Sequence, residues 1–115
     1  MIRNLTPHAV QIITPWGNVE LQPDPPVARL RQRAREAGSV EVDGTSVDLF
    51  DIAAEGVDDL PPPRPDTWLV VSRLVAETCP ERSDLVFPYG EVRDHAGRVI
   101  GCTALGRPLH DRETQ

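Results

Sequence analysis

The chain has 115 residues and a formal net charge of −6, from 18 acidic and 12 basic side chains. This length is typical of one domain with a single hydrophobic core, and the excess of acids argues against binding to DNA or RNA. Prolines and glycines interrupt every apolar run before the ~18 residues that span a bilayer, so no membrane association is expected. The amino terminus lacks the pattern of a secretory signal, which predicts a cytoplasmic protein.

Cysteine and arginine usage limits the kinds of binding site that the chain can form. Cys79 and Cys102 lack the spacing of a zinc site and are too few for a disulfide framework, so we expect reduced thiols, no metal and no cofactor. Cys102 lies in the apolar run 99–102, where a buried thiol acts as a small hydrophobic side chain. All twelve basic residues are arginine. A GC-rich genome explains this bias, but the planar fork of arginine also suits phosphate or carboxylate groups.

Two hairpins are predicted in the first half of the chain. Residues 9–21 combine two β-rich runs with turn residues at 15–18. Residues 40–50 form the second hairpin around Asp43-Gly44, because both turn residues can adopt positive φ.

The segment 27–38 is compatible with two structures. Helix formers between Pro26 and Gly38 favour a three-turn helix. A helix here, however, would have a small apolar stripe with little area to anchor it. A strand would place the alternating arginines on one face and the apolar residues on the other, and we predict a strand. The alternating arginines are Arg29, Arg31, Arg33 and Arg35.

Acidic residues dominate the segment 51–66, which carries five acids offset only by Arg64. Its proline-rich run 61–65 is stiff and extended. We therefore predict a surface loop with solvated acids. Neither flank is long enough to fold alone, so residues 1–106 are expected to form one β-rich domain, followed by a frayed tail at 107–115.

The run 67–72 is continuously apolar and bounded by breakers, which predicts the central buried strand. Within it, Leu69 and Val71 should share one buried face. Ser72 can cap a short helix over 73–78, which Pro80 ends.

One further strand and a hairpin complete the prediction. Residues 85–87 should form a short strand that Pro88 stops, and residues 91–104 a last hairpin around the turn 94–97. Together the elements predict a mainly β fold, with a small antiparallel sheet or partly open barrel and one short helix.

His8, Arg73 and Arg93 are the candidate ligand-binding residues. Arg73 follows the central strand and Arg93 precedes a tight turn, so both can reach one end of the sheet without burying an unpaired charge. His8 stands at the start of the first strand and can donate a hydrogen bond in either tautomer. An arginine-lined pocket of this kind would bind a small anion.

A structural role is the alternative for the same residues. Asn4 and Thr6 can bond the backbone of a turn fixed by Pro7 and so lock the start of the first strand. Arginines beside acids usually form ion pairs. The expected pairs are Arg73 with Glu77, Arg82 with Asp84, and Arg93 with Asp94.

Four segments carry a resemblance to a known family. They are Asn4-Leu5-Thr6-Pro7-His8, Val71-Ser72-Arg73-Leu74-Val75-Ala76, Arg82-Ser83-Asp84, and the closing hairpin Val92-Arg93-Asp94 with Gly97-Arg98-Val99-Ile100-Gly101-Cys102. Together they resemble a family of small, functionally uncharacterised proteins of phages and high-GC bacteria. The resemblance covers most of the chain but skips residues 27–40. It implies a phage or mobile-element setting and no particular catalysis.

The sequence contains no phosphate-binding glycine loop, nucleophile elbow, HExxH or dinucleotide fingerprint. The leading hypothesis is therefore a non-enzymatic, homo-oligomeric protein that captures a small anionic ligand such as a nucleotide, as a phage anti-defence protein would. A protein-binding inhibitor or antitoxin that uses the acidic segment 51–66 is one alternative. A small hydrolase that uses His8 with acidic partners is the other.

Overall fold

The computed structural model of the protein describes residues 1–109. Within these residues, eight strands and one helix follow one another. They are β1 (Ile2–Asn4), β2 (Val10–Thr14), β3 (Gly17–Leu21), β4 (Arg29–Val42), β5 (Thr45–Asp58), β6 (Trp68–Val70), α1 (Arg73–Thr78), β7 (Leu85–Arg93) and β8 (Val99–Gly106).

Six strands form a curled sheet, a half-barrel with the order β1-β6-β7-β8-β2-β3. This confirms the prediction of a mainly β fold with a partly open barrel and one short helix. The sheet is mixed, because β1–β6, β6–β7 and β8–β2 pair in parallel while β7–β8 and β2–β3 pair antiparallel. The connection from β6 to β7 runs through α1, and such a crossover returns the chain in the same direction.

Strand β6 lies inside this sheet, and its side chains alternate between two buried clusters. Leu69 and Val71, which are 2% and 0% exposed, belong to the larger cluster together with residues of α1. Val70, also 0% exposed, belongs to the second cluster with Val86. The predicted buried strand is confirmed over residues 68–70 of the run 67–72, and the shared face of Leu69 and Val71 is confirmed.

Helix α1 covers the larger cluster. Its N-cap is Ser72, whose hydroxyl oxygen accepts a hydrogen bond from the Val75 amide at 3.2 Å. Val75 and Ala76, each 1% exposed, are its buried residues. The helix predicted over 73–78 is confirmed at both ends.

Strands β4 and β5 form a separate two-stranded sheet, which we call the arm. The strand predicted within 27–38 is confirmed as part of β4. At the tip, Asp43 and Gly44 have φ of 50° and 82°, as the predicted two-residue turn requires. At the base, Leu30 and Val57 are paired and pack against the larger cluster. The arm is therefore attached to the half-barrel at one end.

The prediction of a loop over 51–66 is wrong for residues 51–58, which belong to β5. A run of acids is typical of a loop when only neighbouring residues are considered. In the fold, however, these acids lie beside the arginines of β4 in the antiparallel register. This pairing satisfies the charges on an extended strand. Residues 59–67 form the connection to β6.

Strand β7 continues to Arg93, so the prediction that it stops at Pro88 is wrong. The Val86 carbonyl faces β6, where it accepts from the Val71 amide, and the alternation of the strand turns Pro88 to the same side. Strand β6 has already ended there, so the missing N–H of proline costs no ladder hydrogen bond. The predicted closing hairpin is confirmed as β7–β8.

The remaining expectations concern the thiols, the membrane and the tail. Cys79 and Cys102 are free, and Cys102 is 4% exposed, which confirms its predicted burial. No helix among residues 1–109 is long and apolar enough to cross a bilayer. Residues 107–109 carry no regular secondary structure, and the rest of the predicted tail, 110–115, lies outside the described residues.

Candidate functional site

Arg73 lies at the start of α1 with its side chain 68% exposed. Its guanidinium carbon is 5.5 Å from the centroid of the Phe87 ring, a cation–π distance. Its Nε is 3.5 Å from the Glu77 carboxylate, the pair expected from the structural alternative. Arg73 is thus anchored over an aromatic ring at the end of the central strand.

Arg93 closes the hairpin between β7 and β8. Its Nη1 donates to the Gly97 carbonyl at 2.7 Å, and its Nη2 donates to the Glu91 carboxylate at 2.8 Å. The pair expected between Arg93 and Asp94 is therefore wrong. Asp94 instead accepts from the Arg98 side chain at 3.0 Å. Hydrogen bonds from the backbone amides of Arg98 and Ala96 lower the pKa of Asp94.

His8 contributes its backbone to a buried network, while its side chain is exposed. Asn4, which is 2% exposed, donates from Nδ2 to the His8 carbonyl at 2.8 Å. The Thr6 hydroxyl also lies 3.0 Å from that carbonyl. The opening motif thus holds the start of β2, as the structural alternative describes.

The three predicted site residues do not surround one cavity. The Phe87 ring beneath Arg73 and the side chain of Arg93 are both on β7, at positions about 20 Å apart along an extended strand. His8 immediately precedes Ala9, which lines a cleft of about 280 Å³ between β2, β7 and β8. Glu91, the partner of Arg93, also lines this cleft. None of the three residues itself lines this cleft, although His8 and Arg93 each have a neighbour or partner that does.

That cleft offers little to an anion. Its lining is mostly apolar and includes Val10, Ile100 and Cys102. Glu91 is the charged group among its described lining residues, and a carboxylate repels anions. Among residues 1–109 no group of three or more His, Cys, Asp or Glu side chains is placed to hold a metal ion.

The arm is the most exposed part of the described chain. Beyond its base, β4 and β5 pair only with each other among residues 1–109, so both outer edges carry unpaired backbone groups. Six large apolar side chains on it are 44–55% exposed. They are Val40, Val42, Val47, Leu49, Phe50 and Ile52.

Charges on the arm are ordered by strand. On β4, Arg31, Arg33 and Arg35 form ion pairs with acids of β5 on one face. The Arg33–Glu55 distance is 3.7 Å and the Arg35–Asp51 distance is 3.6 Å, both loose contacts. The third pair joins Arg31 to Asp58. One strand of the arm is therefore basic along this face and the other acidic.

An isolated two-stranded ribbon is at best marginally stable in water. A long strand with a free edge and exposed apolar side chains is also a template for pairing with another chain. The arm combines these features, which makes it the candidate functional site. Both halves of this signal, the alternating arginines and the acidic segment, are visible in the sequence. Only the pairing of β4 with β5 brings them together.

No protein-family model, curated protein or solved structure matches this chain. Function is therefore inferred from the geometry of these residues.

Proposed function

We propose that this chain is a non-enzymatic binding protein whose arm accepts an extended protein strand along its free edges. The observation that supports this proposal is the arm itself, a long ribbon that packs on the half-barrel only at its base. Strand addition satisfies edge N–H and C=O groups and covers the flanking apolar side chains. The proposal corresponds to the protein-binding alternative of the sequence analysis.

Charge gives the arm its selectivity. Asp51 and Glu55 lie along β5 with 64% and 39% of their side chains exposed, so each carboxylate can accept a second guanidinium or ammonium. A strand added to the β5 edge with basic residues at alternate positions would place them beside these acids. We therefore propose that the β5 edge prefers basic, alternating segments.

A peptide titration tests this proposal. The probe is a synthetic 14-residue peptide that alternates arginine with valine and threonine, and the control peptide has the same composition with the arginines grouped. Fluorescence anisotropy at nanomolar protein should show binding about tenfold tighter for the alternating peptide, equivalent to ~1.4 kcal/mol. Amide exchange in β5 should slow when it binds. Equal affinity for both peptides would contradict the proposal.

A pair of variants locates the binding. Replacing Asp51→Asn together with Glu55→Gln should remove most of the preference for the alternating peptide, because the opposing charges are lost. The control Glu81→Gln changes an exposed acid outside the arm and should leave the preference intact. An equal loss in both variants would point to net charge rather than to the arm.

Capture of a small anionic ligand such as a nucleotide is the second candidate, supported by Arg73. Its guanidinium is largely exposed, and its single ion pair, at 3.5 Å, leaves donors for a phosphate. Such a ligand suits the phage or mobile-element setting that the resemblance implies. His8 and Arg93 would take part only in binding at the separate cleft, which their neighbour Ala9 and partner Glu91 line.

A thermal-shift screen with nucleoside monophosphates and cyclic dinucleotides tests the second candidate. A ligand that binds only the folded chain raises its Tm. The shift should disappear in Arg73→Ala and persist in Arg98→Ala, an exposed arginine that also pairs with an acid four positions away. A panel in which no compound raises the Tm would exclude these nucleotides as ligands.

A further inference from the structure

We infer that the strand taken up by the arm belongs to a second copy of this chain, bound head to tail. The β4 edge of one protomer would pair with the β5 edge of the next. This inference rests on the proposed function, because it names the partner that the arm accepts. It begins from the fact that the two edges of the arm carry opposite charge in the half next to its base, where arginines at 31–35 face acids at 51–58.

The charge pattern selects among the ways two arms can meet. Pairing two β4 edges would set arginines beside arginines, and pairing two β5 edges would set acids beside acids. Like charges on neighbouring strands are destabilising, and opposite charges stabilise the pair. Only the contact between β4 and β5 of different protomers places an arginine column beside an acidic one. The two edges of one arm are therefore complementary to each other and not to themselves.

The existing ion pairs leave capacity for this contact. Arg33 and Arg35 are 73% and 83% exposed, and their partners lie 3.7 Å and 3.6 Å away. A guanidinium has five donors and a carboxylate two acceptor oxygens, so each group can serve a partner on both sides. A neighbouring arm would extend the ladder without displacing the pairs within the hairpin.

The size of the arm fits an interface between copies. Residues 31–56 lie beyond the packed base and compare with the ~20–30 residues that each partner contributes to a standard interface. A strand added to each edge would also cover the flanks of the exposed apolar side chains, such as Ile52 at 55% and Phe50 at 46% exposure. The burial of apolar surface adds to the backbone pairing.

Head-to-tail contact has a consequence for stoichiometry. It is heterologous, so each protomer uses both edges, and the contacts close into a ring when the rotation between copies permits. Strands twist with a fixed hand, and successive hairpins can therefore curl into a barrel that leaves no edge. Two hairpins would give a four-stranded barrel, which is too narrow to enclose side chains, so we expect three or more protomers in such a ring. Contact between like edges, by contrast, is complete at two.

Native mass spectrometry and light scattering of the full-length chain test the inference. We expect one closed species of at least three protomers, which dissociates as salt screens the exposed charges. Arg33→Glu with Arg35→Glu should be monomeric. Adding Asp51→Arg and Glu55→Arg, which exchanges the charges of the two strands, should restore the ring. The control Arg64→Glu changes an exposed arginine outside the arm and should assemble like the parent.

The outcomes separate this inference from the function on which it rests. A parent chain that is monomeric or dimeric up to high micromolar concentration overturns head-to-tail assembly, whatever the variants do. If that monomer still prefers the alternating peptide, the arm binds a different protein and the proposed function stands. If the peptide preference is absent as well, both fall. An open filament of many sizes would overturn closure into a ring.

Discussion

The side-chain nitrogen of Asn4 donates to the backbone carbonyl of His8 at 2.8 Å, across the bend that joins β1 to β2. The same nitrogen donates to the Leu21 carbonyl of β3 at 2.9 Å. Its Oδ1 accepts from the Thr6 amide at 3.0 Å and from the Thr6 hydroxyl at 2.6 Å. One buried amide therefore ties together the edge strand β1 and the hairpin at the opposite end of the sheet order.

We predict that Asn4→Ala lowers the free energy of unfolding by about 2 to 4 kcal/mol, because two carbonyls lose their donor and Thr6 loses its acceptor. His8→Ala should stay within about 0.5 kcal/mol, as for most surface changes, since the network uses the His8 carbonyl. Urea denaturation measures both. A loss in His8→Ala equal to that in Asn4→Ala would show that the imidazole matters.

The central strand gives a second prediction. Leu69 is 2% exposed within the larger cluster, so Leu69→Ala should cost about 2 to 4 kcal/mol through lost burial and the cavity left behind. Leu74, which is 61% exposed on α1, provides the matched control. Leu74→Ala should change stability little. A cost below half a kcal/mol for Leu69→Ala would contradict its place in the core.

A third prediction concerns acid stability and the pair of Arg82 and Asp84. Arg82 donates from Nε and Nη2 to the two Asp84 oxygens, each at 2.9 Å, and both side chains are about 15% exposed. These hydrogen bonds lower the pKa of Asp84, against burial, which raises it. The ionised form is thus the one that the fold stabilises.

Because the folded pKa lies below the unfolded one, this contribution is complete above the unfolded pKa and is lost as the pH falls through the folded pKa. Asp84→Asn should cost on the order of 1 to 3 kcal/mol at neutral pH. The difference from the parent should shrink below about pH 5. Denaturation curves between pH 2 and 7 measure it, with Glu81→Gln as the exposed control. A difference independent of pH would exclude ionisation as the cause.

Two glycines in the closing hairpin give a fourth prediction. Gly90 and Gly97 have φ of +78° and +80°, so alanine is strained at either position by about 1 to 3 kcal/mol. A Cβ at Gly90 would also collide with the Thr103 hydroxyl, whereas one at Gly97 meets open space. Gly90→Ala should therefore be the more destabilising, and Thr103→Ala should relieve only the excess. Equal thermal shifts in the two glycine variants would contradict the collision.

Local sequence determined the elements whose signals lie within a few residues. Asp43-Gly44 set the turn of the arm, since both residues take positive φ. Ser72 set the start of α1 through a hydrogen bond three residues away. The apolar run around Leu69 determined the central strand. Consecutive apolar residues place apolar side chains on both faces of a strand, and both faces are buried only inside a covered sheet.

Tertiary structure decided the features that depend on distant partners. Residues 51–58 are strand because the arginines of β4 neutralise their acids across the hairpin, and Pro88 is tolerated because β6 ends beside it. The same reason applies to the candidate site. Sequence placed His8, Arg73 and Arg93 at strand ends, but only the register of β7 showed how far apart two of them lie. Likewise, only the folded arm shows that the two charge patterns occupy opposite edges of one ribbon, because strand pairing and not sequence proximity sets which side chains meet.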